Sequence, residues 1–196
     1  MPPERDPEHP GATGTAEDSG ERFRILLNYR REDASGHAGR LHDFLRHRGG
    51  EGPGFDKDQI FTDIDRVEPG VDFRRVIDEA VGSCDVFIAV IGRHCLDAVE
   101  GKGRRRLDNP TDFVRLEIEA ALARDIPVVP VLVRGTQMPA LEELPETFED
   151  FVQRNAVELS DGRWSYDVAR LTEWLASVAE EKHVDRKPGS FVPVRQ

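Results

Sequence analysis

Cys84-Asp85-Val86-Phe87-Ile88-Ala89-Val90-Ile91 decides the fold. From Val86 to Ile91 no polar residue interrupts the run. A strand with one wet face alternates apolar and polar residues, so this one is expected to be buried on both faces, as in a parallel sheet covered by helices. Similar runs lie on either side of it. Phe23-Arg-Ile-Leu-Leu-Asn-Tyr29 reads as a first strand, Gln59-Ile-Phe-Thr-Asp63 as a short second, Pro127 to Val133 as a fourth and Asn155–Leu159 as a weak fifth. Pro130 removes one ladder donor from the fourth, which predicts a gap or a sparsely paired edge there.

Helical periodicity separates these strands. A helix is expected from about Ser35, with Ala38, Leu41, Phe44 and Leu45 on one face and Gly49-Gly50 ending it. Phe73, Val76, Ile77, Ala80 and Val81 mark a second helix. Val114, Ile118, Ala121 and Leu122 mark a third, with Asn109 as its cap, Pro110 in its first turn and Asp112 near its positive end. A short helix near Leu141–Val152 and a last one over Tyr166–Glu181 complete the set. Five βα units imply an α/β, flavodoxin-like three-layer fold, a five-stranded parallel sheet in the order 2-1-3-4-5 with helices on both faces. Ligands of such sheets bind beyond the carboxyl ends of the strands where the chain reverses direction, between the first and third strands. Arg30 and Arg31 follow the first strand and Glu117 lies on the helix after the third, so topology brings them to one crevice.

Glu117 is conspicuous for a second reason. It falls between Val114 and Ala121, on or beside the apolar stripe, and its neighbours four residues away, Phe113 and Ala121, offer no cation. A carboxylate so placed needs a distant partner or serves a site. Glu119, by contrast, has Arg115 four residues before it and reads as an ordinary pair.

Composition narrows the function. The chain has 196 residues, 38% of them hydrophobic, and a formal charge of −11. That is one domain with a real core, and the charge argues against a nucleic-acid binder. Arg104-Arg105-Arg106, the only basic cluster, reads as a solvated loop. Cys84 and Cys95 have no metal or redox spacing. His37, His42 and His47 are five apart, which spreads them around a helix and denies them a shared metal face. No stretch approaches ~18 apolar residues and no apolar leader opens the chain, so no membrane span is expected and the cytoplasm is the expected location. Residues 1–21 are rich in Pro and Gly, without an aromatic residue, and are expected to be a disordered tail. The folded domain is expected over 22–182, with a flexible tail over 183–196.

Four collinear segments, Leu26-Leu-Asn-Tyr-Arg-Arg-Glu-Asp33, Ile60–Phe73, Gly82–Gly92 and Asp112–Leu122, together resemble a bacterial TIR (Toll/interleukin-1 receptor-like) domain. The resemblance runs from about Phe23 to Glu181. It implies the flavodoxin-like fold. Many bacterial and plant members, and one animal enzyme, cleave NAD+ at the nicotinamide–ribose bond, while others are assembly adaptors only. By motif, Glu117 is similar to the catalytic glutamate, and Arg30, Arg31 and Glu68 to residues that contact the dinucleotide. Asp65, Arg66, Glu68, Pro69 and Gly70 fall in the family's assembly loop. The sequence departs from the family at three places: Asn28 stands where Ser is usual, and Cys95 and Phe113 where Trp is common. Phe113 keeps a ring able to stack on substrate.

The resemblance implies NAD+ as substrate, no cofactor and no metal, self-association through TIR domains, and a separate sensor or effector protein as partner. One carboxylate is chemically sufficient for that reaction. Nicotinamide leaves as a neutral molecule and needs no general acid, unlike the alkoxide of an ordinary glycoside. What remains is an oxocarbenium-like ribosyl cation, which one anion stabilises. The alternative is a catalytically silent adaptor acting by homotypic interaction. A phosphoacceptor receiver domain of the same fold is excluded, because the third strand ends Ile91-Gly92 rather than in Asp and Ser160-Asp161 rather than Lys follows the fifth.

Overall fold

The computed structural model describes residues 22–47, 54–62, 70–101, 103–124 and 126–185. Their elements run β1 (Ile25–Tyr29), α1 (Arg31–His47), β2 (Ile60–Thr62), α2 (Phe73–Gly82), β3 (Val86–Ile91), α3 (Phe113–Leu122), β4 (Val128–Val133), α4 (Glu149–Val152), β5 (Val157–Leu159) and α5 (Trp164–Asp185). All pairings are parallel, and the sheet order is β2-β1-β3-β4-β5, as the periodicity predicted.

The uninterrupted apolar strands have a direct cause. Ile25 and Leu27 of β1, Val86, Ile88 and Val90 of β3, and Val129, Val131 and Val133 of β4 point into one core with Ala38 and Leu41 of α1 and Val168, Leu171 and Leu175 of α5. Leu26, Phe87, Ala89, Ile91 and Leu132 point the other way, against Ile77 and Val81 of α2, Ile118 and Ala121 of α3, and Phe148 and Phe151. Period-two geometry sends alternate residues to opposite faces, and both faces are dry.

Several boundaries differ from the sequence expectation. α1 starts at Arg31, four residues before Ser35, because the N–H groups of Asp33 and Ala34 already bond to the Arg30 carbonyl. Glu32 and Asp33 suit the positive end of that helix; their polarity had read as loop. α3 is capped by Asp112, whose side chain accepts from the Arg115 N–H. Asn109 instead closes a turn of its own, accepting from the backbone N–H and hydroxyl of Thr111. The helix expected near Leu141–Val152 is broken into two 3-10 turns, Leu141–Glu143 and Glu146–Phe148, before the four residues of α4. α5 runs from Trp164 to Asp185, longer than its expected span.

Pro130 does not lie on an edge strand, since β4 pairs with β3 on one side and β5 on the other. The expected gap exists on the β5 side alone: pairing with β5 begins at Val131, one residue beyond the proline. Among the described residues no helix is long and apolar enough to cross a membrane. The tail expected at 1–21 lies outside the described residues; of the tail expected at 183–196, the first three residues continue α5 and the rest lie outside the described residues.

Candidate functional site

The reversal of direction between β1 and β3 opens a crevice at the carboxyl end of β1. A pocket of about 170 Å³ there is lined by Asn28, Tyr29, Arg30, Arg31, Glu32, Arg106, Phe113, Val114 and Glu117. Of the expected site residues, Glu117, Arg30, Arg31 and Phe113 therefore meet in one place. Asp65, Arg66, Glu68 and Pro69 lie outside the described residues. Gly70 is described; its φ is +89° and a Cβ there would meet open space. That left-handed conformation is one glycine adopts without steric cost.

Glu117 is only 6% exposed. Leu116 and Ile118 are buried beside it, so it lies within the covered face of α3. Its carboxylate accepts a short hydrogen bond from the side-chain amide of Asn28 on β1. A buried carboxylate needs donors to remain charged, and a neutral amide orients it without cancelling its charge. The Asn found where the family usually has Ser thus grips Glu117 across 89 residues of sequence.

Arg30 lines the pocket, but its side chain is buried and ion-paired. Its side chain is 2% exposed, and both terminal nitrogens bond to Asp112, at 3.0 and 2.9 Å. Burial alone would lower its pKa, but the hydrogen bonds and charge of Asp112 outweigh that and raise it, so the guanidinium is charged. Asp112 caps α3, the helix that carries Glu117, so the Arg30–Asp112 fork pins the start of that helix to the end of β1. Asp112 thus takes one N–H from each terminal nitrogen, while the buried Nε–H has no partner among the described residues.

The cations that border the pocket in the open are Arg31, exposed at the first position of α1, and Arg106. Arg106 had read as part of a solvated basic run. Its Nη1 donates to Glu32 at 2.7 Å and its Nε lies 3.3 Å from Asp112, while about a third of the side chain remains exposed. Spacing in the sequence gave no sign of this, because Glu32 lies 74 residues away. Glu32 is held below its ordinary pKa, first by its own backbone N–H at the helix start and then, against the opposing effect of burial, by the charges of Arg106 and Arg30.

Phe113 is 38% exposed, and its centroid lies 5.4 Å from that of Phe73 in an edge-to-face pair. Phe73 opens α2 three residues after Gly70, so the rim of the pocket touches the helix into which the expected assembly loop leads. Cys95 packs partly buried beside Arg30; burial, countered by Arg30, pushes its thiol up to about 11, so it is neutral at pH 7. Behind it Asp33 accepts from the His94 N–H at 3.0 Å, and a Cβ at Gly92 would sit 2.5 Å from that carboxylate. Only a glycine lets α1 close on the end of β3. Among the described residues no group of three or more His, Cys, Asp or Glu side chains is placed to hold a metal ion.

No curated protein sequence matches the chain. Among solved structures, the TIR domains of the activated Roq1 resistosome directly recognizing the pathogen effector XopQ are similar at 14% identity, with 83% of this chain and 98% of that chain covered and a TM-score of 0.43. The family model described as TIR domain matches residues 25–175, from the first residue of β1 to the middle of α5. The chain belongs to the TIR domain family.

Proposed function

We propose that this TIR domain cleaves NAD+ between nicotinamide and ribose, with Glu117 as the catalytic residue. One observation carries the reading: a carboxylate 6% exposed, gripped by a neutral amide, faces a pocket at the sheet's reversal point. As the bond to nicotinamide lengthens, positive charge grows on the ribosyl ring. A fixed carboxylate in a dry site stabilises that charge without reorganising. The leaving base departs neutral, so no acid has to be placed opposite. Phe113, exposed at the rim, offers a face to the nicotinamide ring. Arg31 and Arg106, the exposed cations that line the pocket, are assigned to the pyrophosphate.

A pocket of about 170 Å³ is smaller than the roughly 300–1,000 Å³ of sites that enclose a drug-sized ligand. One copy therefore holds part of a dinucleotide, and a second copy is assigned the rest, through the segment that includes Asp65, Arg66, Glu68, Pro69 and Gly70. Self-association of this kind suits a signalling or defence role in the cytoplasm, triggered by a separate sensor or effector protein. The same small pocket favours a second reading, an adaptor that assembles without turnover.

The two are separated by incubating the full chain with NAD+ over a wide dilution series and resolving the products by chromatography. Nicotinamide release is expected, with a rate per molecule that rises with protein concentration. Pro69→His or Gly70→Arg is expected to suppress the rise without unfolding the monomer. A rate independent of concentration and equal in the loop variants removes the composite site. No nicotinamide at any concentration leaves the adaptor.

A further inference from the structure

A second groove lies away from Glu117 and shares no lining residue with its pocket. It has a simple origin. β5 is three residues long and meets β4 only from Val131 onward, so Val128 and Val129 have no neighbouring strand on that side. Between this step in the sheet and the first half of α5 is a cavity of about 660 Å³. That lies within the roughly 300–1,000 Å³ range of small-molecule sites.

The lining is unusual for this chain. Overall the protein carries a formal charge of −11, yet three arginines, Arg154, Arg163 and Arg170, border the groove against two carboxylates, Glu158 and Asp167. Asp167 is already engaged: it accepts from the Ser160 N–H at 3.0 Å and lies 3.8 Å from Arg163. Neither Arg154 nor Arg170 has an ion pair or side-chain hydrogen bond among the described residues. α5 adds two rings. Tyr166 and Trp174 are 62% and 39% exposed, and Arg170 lies midway between them at i+4 spacing, on one face of the helix. Across the groove Asn155, exposed just before β5, offers an amide donor and acceptor.

Cations with no internal partner call for an anion, exposed rings call for a flat π-surface, and an amide reads a heteroatom edge. A phosphate joined to a base has all three. We propose that this groove binds a nucleotide, its phosphate held by Arg154 and Arg170 and its base lying on the Tyr166–Trp174 face of α5. The site is separate from the pocket at Glu117 and offers a second nucleotide a means to act on a TIR domain.

Calorimetry of the full chain with ADP as the probe tests this, with adenosine and a poly-glutamate peptide as comparisons. ADP is expected to bind saturably, and adenosine at least about tenfold more weakly. Arg154→Ala/Arg170→Ala is expected to lower ADP affinity by at least about tenfold, the loss of one charge-assisted hydrogen bond, with unfolding temperature unchanged because both side chains are exposed. Of the two tryptophans, Trp164 is buried, so quenching by ADP is expected to report Trp174 and to vanish in Trp174→Phe. The proposal is overturned if ADP does not bind at millimolar concentration, or if adenosine binds equally well. It is also overturned if the double arginine variant binds ADP normally while Arg106→Ala does not, which would put ADP in the Glu117 pocket. Binding of poly-glutamate without ADP would assign the groove to an acidic peptide instead.

Discussion

The pocket at Glu117 and the groove beside α5 both carry arginines, but they use them in opposite ways. At the pocket, Arg30 is 2% exposed and locked in a fork with Asp112, and Arg106 bridges Glu32 and Asp112. In the groove, Arg154 and Arg170 have no ionic partner among the described residues and stand beside exposed rings. An arginine near a site is thus not by itself a ligand-binding arginine. Burial and partners decide: by that measure Arg30 is scaffolding for the helix that carries Glu117, whereas Arg154 and Arg170 are available to something outside the fold.

The comparison breaks if Asp112→Ala is mild. That substitution leaves Arg30 charged and buried without its partner, which typically costs about 3–5 kcal/mol, and it removes the cap of α3, worth about 1 kcal/mol. Chemical denaturation is expected to show a large loss of stability. Arg154→Ala and Arg170→Ala are expected to stay within about 0.5 kcal/mol of wild type, as exposed positions usually do. Equal effects at the two places would erase the distinction. Arg30→Ala belongs with Asp112→Ala: a drop in unfolding temperature is expected, rather than a change confined to the NAD+ concentration needed for half-maximal rate.

Smaller effects sharpen the picture. Gly92→Ala drives a methyl group onto the buried Asp33 carboxylate, and overpacking of that kind costs typically about 1–3 kcal/mol, readable in a urea melt. Gly70→Ala meets no atom but has to hold φ at +89°, a strain of about 1–2 kcal/mol in the same assay. The smallest effect is on the pH profile. Because Glu32 titrates below its ordinary 4.5, its link to Arg106 is fully present above that value and is lost as pH falls through the depressed pKa. Glu32→Gln is expected to flatten that acid limb of a stability-versus-pH curve only slightly, since the pair is solvent-exposed. An unchanged limb would leave Arg106 held by Asp112 alone.

What was readable in advance follows from the range of the interaction. β3 and β4 showed themselves because burial on both faces leaves no polar residue in the run, and the strand order followed from alternation with helices. Glu117 stood out because a carboxylate between Val114 and Ala121, on or beside the apolar stripe, has no cation four residues away. Its partner Asn28, the Arg30–Asp112 fork and the Arg106 bridge join positions 74 to 89 residues apart and leave no local trace. The start of α1 was missed because Glu32 and Asp33 suit both a polar loop and the first turn of a helix. Pro130 pointed to an edge but lies in an inner strand, since the short β5 leaves unpaired the one side where its missing N–H would matter.

The most direct test of the central claim compares NAD+ cleavage by wild type and Glu117→Gln at high protein concentration, with unfolding temperature recorded for both. The account predicts nicotinamide release by the wild type and a rate lower by about 10²–10³ in the variant, from loss of the anion alone, at similar stability. Equal rates in two equally folded proteins would contradict it, as would a wild type that releases no nicotinamide.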